Sequence, residues 1–440
     1  MKLLLLEFNE IRPDIVDRGI DEGWLPAFAR LRAEAERYTT DTCDGYLEPW
    51  VQWVTLHTGV PLRRHGALQL GYGPSIAQTF VWESLSAAGY RVWVCGAMNG
   101  RDRGDLNGRI LLDYWTVPAR EASFLPFNRF VNACITRHLE RRASAPWGEA
   151  VPFLGFMLRH GLRFSTVAGA ARSTAASIAT RTAWRSAFVL EDLQLDLFLH
   201  QYRRLQPHFS IFFANSVAHL QHNYPNGPGA GQADGAVLPA GYRHLDRLLD
   251  RLLRIAGDDT TILLCSGLGQ DFPENGGAGA TLYRVDDLPS LVRRLELPAP
   301  VKILRTMADS FTLEFTDVDD ALTAAARLSD VRIGSGPVFV PVQSGHTVLV
   351  DGALKRETDM DESLRIGGAV SPVRLRDIVR VGHHVVGVHN PSGCLWIRGP
   401  FPRPRAANGA PVPLTDIRPL IERFFGTEEG RAPAPARPTP

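Results

Sequence analysis

The sequence predicts an α/β protein with a mostly parallel central sheet and helices on both faces. Three observations carry this prediction. Short, mostly apolar runs recur at Leu3–Phe8, Tyr90–Cys95, Phe209–Ala214 and Thr260–Cys265, as in strands buried on both faces. Segments of helical periodicity separate them, which implies parallel crossovers. Polar residues follow the runs, where an open parallel sheet binds its ligands.

The elements follow in order. Leu3–Phe8 ends in Asn9-Glu10 and reads as the first buried strand. Ile11–Arg37 is helical in pattern, with Leu25, Phe28, Leu31 and Ala35 near helical spacing. A helix over Val81–Ala88 leads into the strand Tyr90–Cys95. Residues 115–200 are rich in Ala, Arg and aromatics, and are read as a helical insertion or cap. Phe209–Ala214 is the third strand. Leu245, Leu248, Leu249, Leu252 and Leu253 mark an amphipathic helix whose other face holds Arg243, Asp246, Arg247, Asp250 and Arg251, assigned to solvent. Gly257-Asp258-Asp259 ends it and Thr260 opens the fourth strand. Residues 285–375 read as a small α/β subdomain, with strands at Val301–Leu304, Ser310–Phe315, Pro337–Val342 and Thr347–Val350 and a helix at Val318–Leu328. The core is therefore expected to comprise 1–114, 201–284 and 376–426, followed by a Pro-rich, disordered tail over 427–440.

Composition narrows the function. The 440 residues are 45% hydrophobic and 22% charged, and the net charge is +1, so bulk electrostatics point to neither nucleic acid nor an anionic membrane. The five cysteines are scattered without a C-x-x-C pair, against a disulfide framework or a Cys-rich zinc site. The apolar start is ended by Glu7, Asn9 and Glu10, too early for a signal peptide, and no run approaches the ~20 residues of a membrane span. A cytoplasmic protein with a small-molecule ligand is the expectation.

Asn9-Glu10, then Asn215 with His219 and His222, then Ser266-Gly267-Leu268-Gly269-Gln270 all follow predicted strands and should gather at one rim. The order of these segments resembles the alkaline phosphatase superfamily, most closely its type I phosphodiesterase/nucleotide pyrophosphatase branch. Asn9-Glu10-Ile11-Arg12-Pro13 stands where that branch has Asp-Gly and a Leu-Arg-Pro-like stretch, and Leu25-Pro26-Ala27-Phe28-Ala29-Arg30-Leu31 resembles its next helix. Glu48-Pro49-Trp50-Val51-Gln52-Trp53, Thr58-Gly59-Val60-Pro61 and His65-Gly66 occupy the nucleophile region. Asn215-Ser216-Val217-Ala218-His219 matches an Asp-x-x-x-His, Ser266-Gly267-Leu268-Gly269 a Ser-Asp-His-Gly, and His389 before Gly393 and Gly399-Pro400 the late histidine. The match covers residues 1–66, 209–270 and 385–400.

The resemblance implies a two-metal site, in which the ions polarise a phosphoryl oxygen and activate a hydroxyl nucleophile. Carried over, one metal would fall to Asn215, His219 and His389, and the other to Asn9, Gly267 and Leu268. The nucleophile falls near Pro49, which has no hydroxyl, beside Glu48. Amides replace carboxylates, so the expectation is a metal-free pocket or at most one divalent ion, zinc being the best match. Glu48, His219 and His389 are the candidate catalytic residues. Asn9, Glu10, Trp50, Gln52, Gln270 and Asn390 are the candidate substrate binders, amides and aromatic platforms that suit sugars. A hydrolase or transferase on a phosphorylated or glycosyl substrate is expected. Two alternatives stand beside it. One is an inactive relative that binds a small molecule or a partner protein. The other is a conventional metallo-phosphodiesterase with Glu7 or Glu10 serving in place of Asn9.

Overall fold

The computed structural model describes residues 1–116, 124–139, 147–180, 184–224, 236–271, 280–305, 310–354, 357–385, 387–404 and 409–427. All of the expected disordered tail but Thr427 lies outside these. The chain forms two compact units, Met1–Asp271 with His389–Pro440, and Phe272–Val388.

In the first unit, β1 (Lys2–Phe8) is buried almost throughout, as its apolar run requires. The expected single helix after it is instead α1 (Pro13–Asp21), α2 (Pro26–Glu34) and a strand, β2 (Glu36–Asp41). Gly23 takes φ +79°, and Pro26, which lacks an N–H, opens the second helix, so the periodicity restarts there. Then come α3 (Pro49–Thr58), α4 (Leu62–His65), α5 (Val81–Ala87), β3 (Val92–Cys95) and β4 (Gly108–Leu111). The insertion is helical as expected: α6 (Leu125–Leu139), α7 (Trp147–Arg159), α8 (Phe164–Thr180) and α9 (Ser186–Leu205). β5 (Phe209–Ala214), α10 (Ser216–Asn223), α11 (Val237–Ala256), β6 (Thr260–Ser266) and β7 (Gly269–Asp271) follow.

The second unit is wider than the predicted 285–375 segment. It holds β8 (Ala280–Arg284), α12 (Leu288–Arg294), β9 (Lys302–Arg305), β10 (Phe311–Glu314), α13 (Val318–Ser329), β11 (Arg332–Ile333), β12 (Gly336–Pro337), β13 (Phe339–Ser344), β14 (Thr347–Gly352), β15 (Ser363–Ile366), β16 (Ala369–Arg374) and β17 (Arg380–Val385). These strands pair antiparallel as β13-β14-β10-β9, β12-β11-β15-β16 and β17-β8 around a core that includes Phe311, Leu313, Leu328 and Val350.

The chain then returns to the first unit with β18 (Val388–Asn390), β19 (Ser392–Arg398), β20 (Val412–Pro413) and α14 (Leu414–Phe425). The central sheet runs β20-β2-β19-β6-β1-β5-β3-β4. Its pairs are parallel except those of β19, which is antiparallel to β6 and β2. Phe8 lies level with Ala214, and Glu7 with Cys265, so Asn9, Asn215 and the Ser266-Gly267 turn leave the sheet at one rim.

One core group makes the fold pH-sensitive. His65 is buried, with Nε2 3.0 Å from Thr55 Oγ1 and Nδ1 accepting from the Ala67 N–H at 3.1 Å. Burial lowers its pKa to about 4, against the opposing charge of Asp44. The unfolded chain therefore takes up this proton first as pH falls. The stability tied to neutral His65 is whole above about pH 6.5 and is lost between there and about pH 4, about 3 kcal/mol in all. Urea midpoints measured from pH 7 to 4 should fall more steeply for the wild type than for His65→Gln. Parallel curves would contradict this.

Candidate functional site

Glu10 organises the rim. It follows β1 in the left-handed region, φ +56°, with its side chain buried. Its Oε2 lies 3.2 Å from His222 Nε2 and 3.4 Å from His389 Nε2, and those two nitrogens are 3.2 Å apart. Among the described residues, Glu10, His222 and His389 are the group of His, Cys, Asp and Glu side chains placed to hold a metal ion.

The triangle fits one. A tetrahedral zinc with bonds of about 2.0–2.1 Å sets its ligands about 3.3–3.4 Å apart, and two imidazoles with one carboxylate leave a fourth position open. Two imidazole Nε2 atoms facing each other also need a proton or an ion between them.

Amides hold the carboxylate in place. Asn9 Nδ2 donates to Glu10 Oε1 at 3.0 Å and to Asn215 Oδ1 at 2.8 Å, while Asn9 Oδ1 accepts from Trp53 Nε1 at 2.8 Å. Indole N–H only donates, which fixes the amide's orientation. An Asp at this position would set its charge against Glu10 and leave the Asn215 oxygen without that donor. Gln270 Nε2 donates to Glu10 Oε2 and lies 2.7 Å from His222 Nε2. Gln270 Oε1 accepts from Gln221 Nε2 at 3.3 Å, and Gln221 Oε1 accepts from Tyr242 Oη at 2.7 Å.

The charges follow from these distances. Burial opposes ionisation of Glu10, but the charges of His389 and His222 and their hydrogen bonds hold it well below the usual carboxylate range. Burial likewise opposes protonation of His389, yet Glu10, and then Glu48, push it up to about 9. His389 Nδ1 lies 3.9 Å from Glu48 Oε2. Glu48 stands immediately before α3, with its side chain 28% exposed.

Helix α10 brings in His222, and Glu191 of α9 anchors that helix. One Glu191 oxygen accepts from the N–H groups of Asn215 at 2.7 Å and Ser216 at 2.6 Å; the other accepts from Ser216 Oγ at 2.6 Å and faces His244 Nε2 at 3.2 Å. A carboxylate at a helix N-terminus satisfies N–H groups that have no intrahelical partner.

Several expectations are corrected. The structure pairs His389 with His222 and Glu10; His219 is exposed on α10, and Asn215 serves as a hydrogen-bond partner of Asn9. Trp50 and Gln52 are not ligand platforms, because every residue of α3 is buried. Trp50 Nε1 donates to the Leu68 carbonyl at 3.1 Å and Gln52 Nε2 to that of Tyr46 at 2.8 Å. Neither N–H group is left to bind a sugar. Glu7 is in the core, 2.5 Å from His57 Nε2, and not at the rim. Leu268 is fully buried and Gly267 lies against Gln52 and Trp53, so apolar packing stands where the resemblance sets a second metal. Asn390 bonds Asp271 and the Ser392 N–H.

No family model and no curated protein matches the sequence. Solved structures do match. Phosphonoacetate hydrolase from Sinorhizobium meliloti 1021, in complex with phosphonoacetate, superposes with a TM-score of 0.51 at 13% identity, covering 97% of this chain and 95% of that one. Human ectonucleotide pyrophosphatase/phosphodiesterase 5 is more distant, with a TM-score of 0.47 at 10% identity over 97% and 95% of the two chains. The rim geometry, the mixed sheet with its single reversed strand and the end-to-end match to phosphonoacetate hydrolase together give the chain the alkaline-phosphatase-type α/β fold.

Proposed function

We propose that the chain is a hydrolase or related transferase acting on a phosphorylated or phosphonylated small molecule, with one divalent ion, zinc by donor set, held by Glu10, His222 and His389. The observation that carries this reading is the triangle of donor atoms at 3.2, 3.2 and 3.4 Å on the sheet's ligand-binding rim. When bound, such an ion polarises a phosphoryl oxygen or lowers the pKa of water.

The protein residues have distinct tasks. Asn9 and Gln270 aim the Glu10 carboxylate. Glu48, a partly exposed carboxylate 3.9 Å from His389 Nδ1, is the general base or acid that moves the substrate or water proton. His389, between Glu10 and Glu48, couples the two carboxylates. Five free thiols suit a reducing compartment such as the cytoplasm.

The test uses p-nitrophenyl phosphate, bis-p-nitrophenyl phosphate and phosphonoacetate with zinc-loaded protein. Glu48→Gln should lower kcat by about 10²–10⁴-fold with zinc content unchanged. An unchanged kcat would remove Glu48 from the reaction. A second reading, a binding protein without turnover, draws on Pro49, which offers no hydroxyl where the resemblance sets a nucleophile. Binding of these compounds without turnover by the zinc-loaded wild type would favour it.

A further inference from the structure

Helix α7 is apolar on two faces. Its inner face buries Phe153, Phe156 and Met157, with the Phe153 ring stacked on Phe130 at 4.2 Å and set against Phe127 at 5.7 Å on α6. Its outer face leaves Val151 75%, Leu154 52% and Leu158 67% exposed. Phe164, 87% exposed, and Val167, 48% exposed, extend this patch onto the start of α8. A soluble surface helix ordinarily turns charged residues outward, and an apolar patch of this kind marks an interaction site.

The charge around the patch identifies the occupant. From Ala150 to Leu190 there is no Asp or Glu, in a chain with 47 acids among 440 residues. The same stretch carries Arg159, Arg163, Arg172, Arg181 and Arg185. Arg159, the last residue of α7, and Arg163, just before α8, are exposed next to Leu158 and Phe164 in sequence, and Arg172 is exposed further along α8. The net charge of +1 conceals this local excess. A second copy of the chain would bring guanidinium groups against guanidinium groups. An anionic headgroup layer over an acyl boundary complements both the arginines and the apolar side chains.

We propose that the outer face of α7 and the start of α8 dock on an anionic phospholipid bilayer, lying in the interface with their exposed apolar side chains at the acyl boundary. No described helix is long and apolar enough to cross a membrane, so the attachment is peripheral. Leu158 and Phe164 anchor it, and Arg159 and Arg163 contact lipid phosphates.

The test is co-sedimentation of the full chain with vesicles of phosphatidylcholine, with or without a third of phosphatidylglycerol. Binding is expected only to the anionic vesicles, and raised salt should weaken it. Leu158→Asp and Phe164→Asp should each lower the partition by about tenfold or more. Arg159→Gln and Arg163→Gln should each lower it about fivefold. All four positions are exposed, and circular dichroism checks that each variant is folded. Absence of wild-type binding to anionic vesicles would overturn the proposal, as would full binding by the folded Leu158→Asp/Phe164→Asp double variant. Self-association that these variants abolish, without any vesicle binding, would overturn it in favour of a protein interface.

Discussion

Glu10→Gln is expected to lower zinc affinity by more than about 100-fold and to remove the proposed phosphoesterase or phosphonatase turnover with it. The variant keeps the side chain's shape and burial but removes the only carboxylate of the donor triangle. Loss of a hydrogen-bonding partner behind a metal ligand already costs about 10–100-fold in affinity, and losing the ligand's charge costs more. His389 also loses the charge that raises its pKa, so its pKa should fall. Calorimetric zinc titration of the two proteins checks this. Equal affinities would mean that Glu10 serves only as the counter-ion of two imidazoles.

Trp53→Ala should have the largest effect on stability. The indole is fully buried, edge-on to Phe213 at 5.9 Å and parallel to His57 at 6.2 Å. Truncating a buried aromatic of this size costs about 3–5 kcal/mol. Trp53 also reaches the site, because its N–H orients Asn9, which holds Glu10. Trp53→Phe separates the two roles. It keeps most of the packing, leaves Asn9 Oδ1 without that donor at a cost of about 1–3 kcal/mol, and should weaken zinc binding by about tenfold. Urea unfolding and zinc titration of both variants measure this. A Trp53→Phe protein with wild-type zinc affinity would restrict Trp53 to the core.

Much of the fold was legible because buried parallel strands are written as apolar runs. Phe209–Ala214 has the bounds its sequence suggests, and Thr260–Cys265 extends by one residue to Ser266. Strand β2, Glu-Arg-Tyr-Thr-Thr-Asp, escaped because one side of it is exposed and its pattern merges with the preceding helix. Asp246 was assigned to solvent by periodicity, yet it is buried and accepts from the N–H groups of Ala27 and Phe28 at 2.9 Å, capping α2. That role depends on a contact 219 residues away in sequence, which helical spacing does not encode.

The candidate site was legible in position more than in detail. Glu10, Gln270, Asn9 and His389 do converge. His222 was missed in favour of His219 because the motif spacing pointed to the first histidine. The two are three residues apart on one helix, and only docking decides which faces Glu10. The role of Asn9 is chemical: an amide beside a buried carboxylate is a donor, and Asn9 Nδ2 donates to Glu10 Oε1. Trp50 and Gln52 looked like a binding surface because indole and amide side chains serve both cores and ligands, and burial alone separates the two uses.

The most direct test is the metal content of the protein, by elemental mass spectrometry after exposure to zinc and removal of excess. About one equivalent per chain is expected from a donor set of two histidines and one carboxylate. Glu10→Gln and His222→Ala should lose it and His219→Ala should keep it. No bound zinc, or about two equivalents retained in His222→Ala, would contradict the single-ion centre.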